Sequence, residues 1–315
     1  MERRDKERAQ RMAHSESVEM FAIGDAVRSL QSVYPDVSHS SLRFLEREGL
    51  LQPVRTAGGH RLYRERDLDR VRAIKAWQSE HRSLSEIRER LARLDALPAS
   101  GELARRFREL ALAGEGLGAA QEVLIADDLG VPLTSLFDEV LKPALYEVGV
   151  GWEHGSLSVG QEHETTELAR DVVSQLALRH ARPRQGMPAL VAGCVAGELH
   201  DVGLRMVSGV LQERGASVHY LGANVDAVFL IETVLRRQPN VVLLSVTSRE
   251  HIPALRVTIN ALRHASLPFA LPRIVIGGQA AAHGHELAGL GALIMIDESL
   301  GRIADRILED AQPSA

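Results

Sequence analysis

The sequence has little that would support a disulfide-stabilised or membrane-spanning protein. Its 315 residues include one cysteine, Cys194, which excludes a disulfide framework and a cysteine-rich zinc site within one chain. No apolar run approaches the roughly 20 residues of a transmembrane helix, and the polar N-terminus does not resemble a secretory signal. The sequence also lacks a Ser-His-Asp set and a phosphate-binding loop, so we expect a non-enzymatic protein. The single cysteine fits a reducing cytoplasm, so we expect a cytoplasmic protein with no membrane partner.

Charge is unevenly distributed along the chain. The formal net charge is -5, yet residues 1–97 contain 19 Lys and Arg against 16 Asp and Glu, so the remainder is acidic. Residues 40–76 alone contain 9 basic and 5 acidic side chains. A basic stretch on an acidic protein favours one domain that binds a polyanion, although a solvated helical surface would have the same composition.

Residues 20–97 predict a helical domain with one hairpin, preceded by a disordered tail over residues 1–19. Ser38 is placed to cap a helix, and Gly58 and Gly59 are expected to supply the positive φ angles of the hairpin. The predicted elements are a helix that starts over 21–27, a helix over 41–48, a hairpin over 55–63, and helices over 67–79 and 85–94.

Two segments of this region resemble the MerR family of winged helix-turn-helix regulators. Leu42–Leu51 resembles the recognition helix of that family and the turn after it, and Arg55–Tyr63 resembles its wing. The resemblance implies that the recognition helix enters the major groove of double-stranded promoter DNA while the wing holds phosphates. Tyr63 could instead pack beneath the wing. The implied DNA-binding residues are Ser41, Arg43, Arg55, His60, Arg61 and Tyr63.

The rest of the chain predicts a helical segment followed by an α/β segment. Residues 98–183 are helical throughout apart from glycine breaks, which predicts a four-helix bundle. In residues 184–315 apolar runs alternate with helical patterns, which predicts a Rossmann-like parallel sheet covered on both faces. The fold class is therefore multidomain, α plus α/β. The predicted strands are 189–195, 217–221, 241–246, 273–276 and 292–295, with helices near 202–214, 226–237, 252–265, 279–289 and 298–309.

A histidine lies where the first of these strands gives way to a helix. In Glu198-Leu-His-Asp-Val-Gly203, His200 is expected on a loop at the carboxyl edge of the sheet, where open α/β folds bind ligands. A neutral imidazole is a good ligand for a transition metal. Glu198 could hydrogen-bond the far ring nitrogen, and Gly203 would let a bulky ligand approach the backbone. By itself this string is weak evidence, because a lone loop histidine is usually a surface residue.

Two further motifs follow the ends of other predicted strands, Ser245-Val-Thr247 and Gly277-Gly278. With the histidine motif they resemble the cobalamin-binding signature of methionine synthase and the adenosylcobalamin mutases. The resemblance implies that His200 is the lower axial ligand of cobalt and that the displaced nucleotide tail lies beside the serine strand and the glycines. The implied cofactor-binding residues of this domain are Glu198, His200, Asp201, Gly203, Ser245, Thr247, Gly277 and Gly278.

The helical segment carries one more signal, Trp152 followed after nine residues by Glu162-His163. A tryptophan in a bundle is usually a core residue, but this arrangement resembles the cap of CarH-type cobalamin photoreceptors. The resemblance implies that Trp152 packs against the adenosyl group of adenosylcobalamin and that Glu162 and His163 lie beside it. Members of this type can carry a histidine just after the tryptophan, where this chain has Glu153. A second cobalt-ligating histidine after photolysis therefore stays an open question.

Together the resemblances imply a light-responsive repressor that depends on cobalamin. It would bind promoter DNA as a dimer or tetramer in the dark adenosylcobalamin form and release it after photolysis of the Co–C bond. A corrinoid methyl carrier of a methyltransferase is the first alternative, although a carrier has no use for a wing. A MerR regulator that senses another tetrapyrrole or ligand is the second, although the intact histidine and Gly-Gly motifs argue against it.

Overall fold

The structure is a computed structural model that describes residues 20–282, Leu287, Leu290, 292–294 and 298–311. The chain divides into two compact units. The first comprises the residues up to Leu97 together with Asp128–Pro132, and the second comprises Pro98–Asp127 and the residues from Leu133 onward. The tail expected over residues 1–19 lies outside the described residues.

The first unit is a winged helix-turn-helix. Ser38 caps the second helix, and Ser38 and Ser41 exchange hydrogen bonds in a capping box, because Ser41 N donates to Ser38 Oγ and Ser38 N donates to Ser41 Oγ. Leu42 and Leu45 bury the inner face of that helix. The elements are β1 (Met20–Ala22), α1 (Ile23–Gln31), α2 (His39–Arg47), β2 (Val54–Arg55), β3 (Arg61–Arg64), α3 (Glu65–Ser79) and α4 (Leu84–Asp95).

Two expectations for this unit were wrong in detail. The residues at the predicted helix start form β1, which pairs antiparallel with β3 on the side opposite β2, so α1 begins only at Ile23. Short strands with one exposed face carry too little apolar periodicity to be distinguished from a helix start. In the wing only Gly59 has a positive φ, of 78°, because the loop closes through Gly59 N to Thr56 O rather than as a two-glycine turn.

The second unit begins with four helices, as predicted. The third is preceded by a π-helical segment, which no sequence signal had indicated, and π segments are found frequently at functional sites. The helices are α5 (Ser100–Leu112), α6 (Gly116–Asp128), α7 (Lys142–Glu153), which follows a short turn at Leu133–Ser135 and the π segment Leu136–Leu141, and α8 (Val159–His180).

A five-stranded, fully parallel sheet completes this unit. The strands over 189–195 and 241–245 are buried along almost their whole length because helices cover both faces of the sheet, whereas the edge strand over 217–225 contains polar residues and is partly exposed. The elements are β4 (Ala189–Val195), α9 (Val202–Glu213), β5 (Ser217–Val225), α10 (Ala227–Arg237), β6 (Val241–Ser245), α11 (Ile252–His264), β7 (Arg273–Gly277), β8 (Leu293–Ile294) and α12 (Leu300–Asp310). The order β5-β4-β6-β7-β8 shows that the chain leaves β4 on one side to form β5 and returns on the other side as β6.

Most predicted boundaries in the sheet region agree with those observed to within one or two residues, and the larger differences concern three elements. Strand β5 extends to Val225 rather than ending at Leu221. Only Leu293–Ile294 of the last predicted strand is extended, and Met295 lies outside the described residues. In place of the helix expected near 279–289 there is a short 3-10 turn over Gln279–Ala282, beyond which most residues up to 289 are not described.

Candidate functional site

The loop that carries His200 follows β4 at the carboxyl edge of the sheet. Because β5 and β6 flank β4 on opposite sides, this edge is the topological switch point, where open α/β sheets form their ligand crevice. The side chain of His200 is 65% exposed, and its Nδ1 lies 2.5 Å from Oε1 of Glu198. Since Nδ1 is held in this way, Nε2 is the ring nitrogen left to bind a ligand.

Glu198 joins the histidine loop to the end of β6. Its side chain is fully buried. Besides the contact with the imidazole, Oε1 accepts a hydrogen bond from His200 N (2.9 Å), and Oε2 accepts from Thr247 N (2.7 Å) and Ser248 N (2.9 Å). Both carboxylate oxygens of Glu198 therefore accept hydrogen bonds. The loops after β4 and β6 together fix the Glu198–His200 dyad.

The electrostatics of the dyad follow from these bonds. Burial by itself would raise the pKa of Glu198, but the hydrogen bonds from His200, Ser248 and Thr247 outweigh burial and lower the pKa to about 2. The hydrogen bond to Glu198 raises the pKa of His200 against the opposing effect of burial, and the negative charge of Glu162 raises it further. The charge of Glu162, at the start of α8, thus acts directly on the imidazole.

The other predicted residues of this edge fall into two groups. An added Cβ would meet nothing within 4 Å at Gly203 or Gly277, so these two glycines border open space. At Gly278 the Cβ would lie 2.2 Å from Val246 O, and φ is 96°, so this glycine is required by the neighbouring backbone rather than by a ligand. Ser245 is buried at the end of β6, where its register partners are Cys194 and Gly277.

The carboxylate of Asp201, which was predicted to bind the cofactor, is hydrogen-bonded to neighbouring side chains. Its carboxylate is buried, and it accepts hydrogen bonds from Arg170 Nε (2.8 Å), Arg205 Nη2 (2.9 Å) and the Tyr220 hydroxyl (2.8 Å). Burial would raise the pKa of Asp201, but these three partners lower it. Because Arg170 belongs to α8, Asp201 ties the helical region to the first turn of α9.

The predicted cap residues lie at the end of α7 and the start of α8. Trp152 is 47% exposed, so it is not a buried core residue. Glu162 Oε2 lies 2.5 Å from His163 Nδ1, and Glu162 Oε1 accepts a hydrogen bond from Thr166 Oγ1 (2.9 Å). The negative charge of Glu162 also contributes to the raised pKa of His200.

On the winged helix-turn-helix, an acidic side chain fastens the wing to the recognition helix α2. Glu46 Oε1 pairs with Arg55 Nη2 and Glu46 Oε2 with Arg61 Nε, both at 2.6 Å. The hydrogen bond from Arg61 is the largest cause of a lowered Glu46 pKa, and the bond from Arg55 adds to it against burial. Arg43 is exposed on α2. The structure thus brings three of the predicted arginines to one face with Glu46, a residue that the sequence reading did not single out.

The remaining predicted DNA residues behave differently from one another. Tyr63 is fully buried in the core, and its hydroxyl has no hydrogen-bond partner among the described residues, so its predicted DNA contact was wrong. Strand alternation places Tyr63 on the same face as Arg61, and β3 packs against α1 and α3. Ser41 uses its hydroxyl in the capping box, whereas His60 is exposed at the wing tip, where its N donates to Thr56 Oγ1.

Comparison with known proteins assigns the chain to a family. Residues 33–94 match the family described as MerR HTH family regulatory protein, and residues 103–177 and 188–301 match two B12 binding domain families. The HTH-type transcriptional repressor CarH of Myxococcus xanthus is 33% identical over 260 residues, which cover 76% of this chain and 83% of that protein. CarA of the same organism is 31% identical over 265 residues, covering 81% and 88%. The chain belongs to the CarH family of MerR-type regulators.

Membership of the CarH family agrees with the fold and gives the chain a DNA-binding head and a B12-binding region. A monomethylamine corrinoid protein of Methanosarcina barkeri has the same fold in the second unit, with a TM-score of 0.58 and 17% identity over 67% of this chain and 99% of that one. None of the helices in the described part of the chain has the length and hydrophobicity of a membrane-spanning segment.

Proposed function

We propose that this CarH-family regulator is a repressor whose affinity for promoter DNA is set by adenosylcobalamin bound at His200. The observation that carries the proposal is the pairing of exposed His200 with buried Glu198 at the switch point of the sheet, which leaves Nε2 as the ring nitrogen free of the carboxylate. A carboxylate that holds one ring nitrogen fixes the tautomer and strengthens the other nitrogen as a metal ligand.

The residues at this edge fit a corrinoid. His200 supplies one nitrogen donor on an exposed loop, as a lower axial ligand requires, and no protein cluster of three or more metal-binding side chains exists among the described residues. Gly203 and Gly277 leave space for a bulky ligand, and Ser245 and Thr247 line the end of β6 next to Gly277. In this proposal Gly278 acts indirectly, by letting the β7 loop approach Val246.

On the other side of the site, Trp152, Glu162 and His163 would enclose the upper axial group. Adenosylcobalamin supplies a light-sensitive cobalt–carbon bond. The half-exposed indole of Trp152 offers an apolar surface to an adenosyl group. In this proposal, contact with that group stabilises the DNA-binding state in the dark relative to the illuminated state. Glu162 keeps a negative charge near His200 and orients His163.

We assign residues 20–97 to DNA binding, 98–183 to the helical cap and 184–315 to cobalamin binding. Arg43, Arg55 and Arg61 would meet the duplex through α2 and the wing. Helix-turn-helix proteins read two half-sites with two heads, so a dimer or tetramer should bind an operator better than a monomer. The residues of the helical cap and the cobalamin-binding region would then transmit the ligand state to the assembly.

The decisive experiment compares the dark and illuminated states of one sample. The purified protein is reconstituted with adenosylcobalamin in the dark, and its absorbance, its light-scattering mass and its affinity for a promoter fragment are measured before and after green light. We expect a histidine-ligated corrinoid spectrum in the dark and a lower mass, a lower DNA affinity or both after illumination. If the cobalamin photolyses while mass and affinity stay constant, the light-gated mechanism is wrong. If no corrinoid binds, the regulator senses another ligand.

A corrinoid methyl carrier is the second candidate, because the second unit has the fold of a corrinoid protein. The MerR match over residues 33–94 favours the regulator. Methyl transfer to or from the reconstituted protein in the presence of a methyltransferase, without specific DNA binding, would support the carrier instead.

A further inference from the structure

The end of strand β5 contributes a residue to the histidine loop that neither the motifs nor the family matches identify. Asn224 lies three residues before the start of α10 and adopts a left-handed conformation with φ of 52°. Among non-glycine residues, asparagine is one of the few that adopt this conformation readily. The backbone at this position is therefore turned out of the strand and toward the loop after β4.

Asn224 forms hydrogen bonds with that loop on both sides of the Gly197–Glu198 peptide. Its backbone N donates a hydrogen bond to Glu198 O (2.9 Å), and its Oδ1 accepts a hydrogen bond from Gly197 N (2.8 Å). Gly197 has a φ of 86°, and the ring of His251 lies 3.0 Å from where a Cβ would be. The peptide that leads into Glu198 is thus held between Asn224 and His251.

These hydrogen bonds position Glu198, the residue that orients His200. Glu198 enters the loop through the peptide that Asn224 holds, and its carboxylate reaches the His200 imidazole on one side and the Thr247 and Ser248 amides on the other. The carboxylate accepts from groups on two loops at once, so its bonds depend on the backbone position of Glu198. A shift of the Gly197–Glu198 peptide would lengthen some of them.

The side chain of Asn224 has no competing task in the neighbouring helix. The N-terminus of α10 is capped by Asp226, whose Oδ1 accepts a hydrogen bond from Val228 N (2.9 Å). We therefore propose that Asn224 is a positioning residue for the Glu198–His200 dyad and thereby for cobalamin binding. This inference rests on the proposed role of His200 as the cobalt ligand.

The chain provides a matched control at the start of β4, the end of that strand opposite the histidine loop. Asn240 holds the start of β4 in the same manner, because Ala189 N donates to Asn240 Oδ1 (2.9 Å) and Asn240 N donates to Ala189 O (2.8 Å). Asn240→Gly removes an equivalent side-chain hydrogen bond far along β4 from His200. Asn224→Gly keeps the left-handed backbone and the bond to Glu198 O but removes the bond from Gly197, while Asn224→Asp keeps the acceptor.

Cobalamin affinity and absorbance are measured for the full-length protein and for these three variants. We expect Asn224→Gly to bind cobalamin about tenfold to a hundredfold more weakly, the range seen when residues behind a metal ligand are removed, and to lose part of the histidine-ligated spectrum. Asn224→Asp and Asn240→Gly should match the parent in both measurements. Parent-like affinity and spectrum in Asn224→Gly would overturn the assignment, as would an equal loss in Asn240→Gly.

Amide hydrogen exchange in the cobalamin-free protein supplies a second measurement that does not need a bound cofactor. Gly197 N–H should exchange slowly in the parent and in Asn240→Gly but rapidly in Asn224→Gly. Rapid exchange of this amide in the parent would refute the inference even if Asn224→Gly did not fold. A parent that binds no cobalamin, while exchange of its Gly197 amide is still slowed by Asn224, would refute the proposed function but support the hydrogen bonding of Asn224 to the loop.

Discussion

Replacing Glu198 with glutamine tests the electrostatic design of the cobalt-ligand loop. The two carboxylate oxygens accept from His200 N, Thr247 N and Ser248 N and also hold His200 Nδ1. A glutamine of the same shape offers one oxygen acceptor, and its amide group is a donor. Whichever way the amide is turned, a donor faces backbone N–H groups that are themselves donors.

The size of the effect can be worked out in two ways. A pKa lowered from 4.5 to about 2 means that the folded state favours ionised Glu198 by about 3 kcal/mol at neutral pH, at about 1.4 kcal/mol per pKa unit. Leaving buried donors unsatisfied costs about 1–3 kcal/mol each. Both lines of reasoning lead us to expect that Glu198→Gln lowers the free energy of unfolding of the sheet region by about 3 kcal/mol.

The measurement is native-state hydrogen exchange of β4 and β6 peptides, which reports the opening of the sheet separately from the DNA-binding unit. Glu232→Gln is the control, because Glu232 is 67% exposed on α10 and should change stability by no more than about 0.5 kcal/mol. The depressed pKa of Glu198 makes its contribution complete above about pH 4.5, and the contribution disappears as the pH falls toward 2. An unfolding free energy within about 0.5 kcal/mol of the parent at pH 7 would refute this reasoning.

Four further substitutions test the two ends of the molecule. His200→Ala should abolish the histidine-ligated spectrum or weaken cobalamin binding strongly, and unchanged titration of absorbance would remove His200 from the metal. Arg61→Ala should weaken binding to operator and unrelated DNA alike and flatten the salt dependence by about one phosphate contact, as measured by gel shift at several salt concentrations. Glu46→Gln should free Arg55 and Arg61, tighten binding to unrelated DNA and reduce the preference for operator; an unchanged ratio of the two affinities would contradict this. Trp152→Ala should shrink the dark-to-light difference in DNA affinity, and a full-sized difference would show that another residue senses the upper ligand.

The parts of the fold that depend on local pattern were predictable from the sequence. The alternation of apolar runs with helical patterns predicted each of the strands of the large sheet, and Ser38 marked the start of α2 through its capping chemistry. The position of His200 after β4 followed from the same alternation. Strand order did not, since nothing local states that β5 and β6 lie on opposite sides of β4.

Residues whose roles depend on tertiary neighbours were missed or misread. Asp201 adjoins the histidine in the motif, but only the packing of α8 against α9 shows that Arg170 claims its carboxylate. Tyr63 lies in a basic stretch, yet it is fully buried in the core, where β3 packs against α1 and α3. Asn224 gave no signal, because its left-handed backbone at the end of a strand is set by the loop it contacts. Backbone amides such as those of Thr247 and Ser248 carry no side-chain signature at all.

The adjacent residues His200 and Asp201, just before α9, belong to two different hydrogen-bond networks. His200 is held by Glu198 and so by the loops of the sheet, whereas Asp201 is held by Arg170 of α8. Glu162, whose charge acts on His200, lies on the same helix as Arg170, eight residues earlier, which is just over two helical turns and hence the same face. Arg170 thus contacts the residue next to His200, while Glu162 lies two turns earlier on the same continuous helix. We expect a ligand that shifts the start of α8 to act on the Arg170–Asp201 pair as well, because one helix carries both Glu162 and Arg170. Two neighbouring residues thus connect the expected metal ligand to the helical region, which is the connection that a ligand-controlled regulator needs.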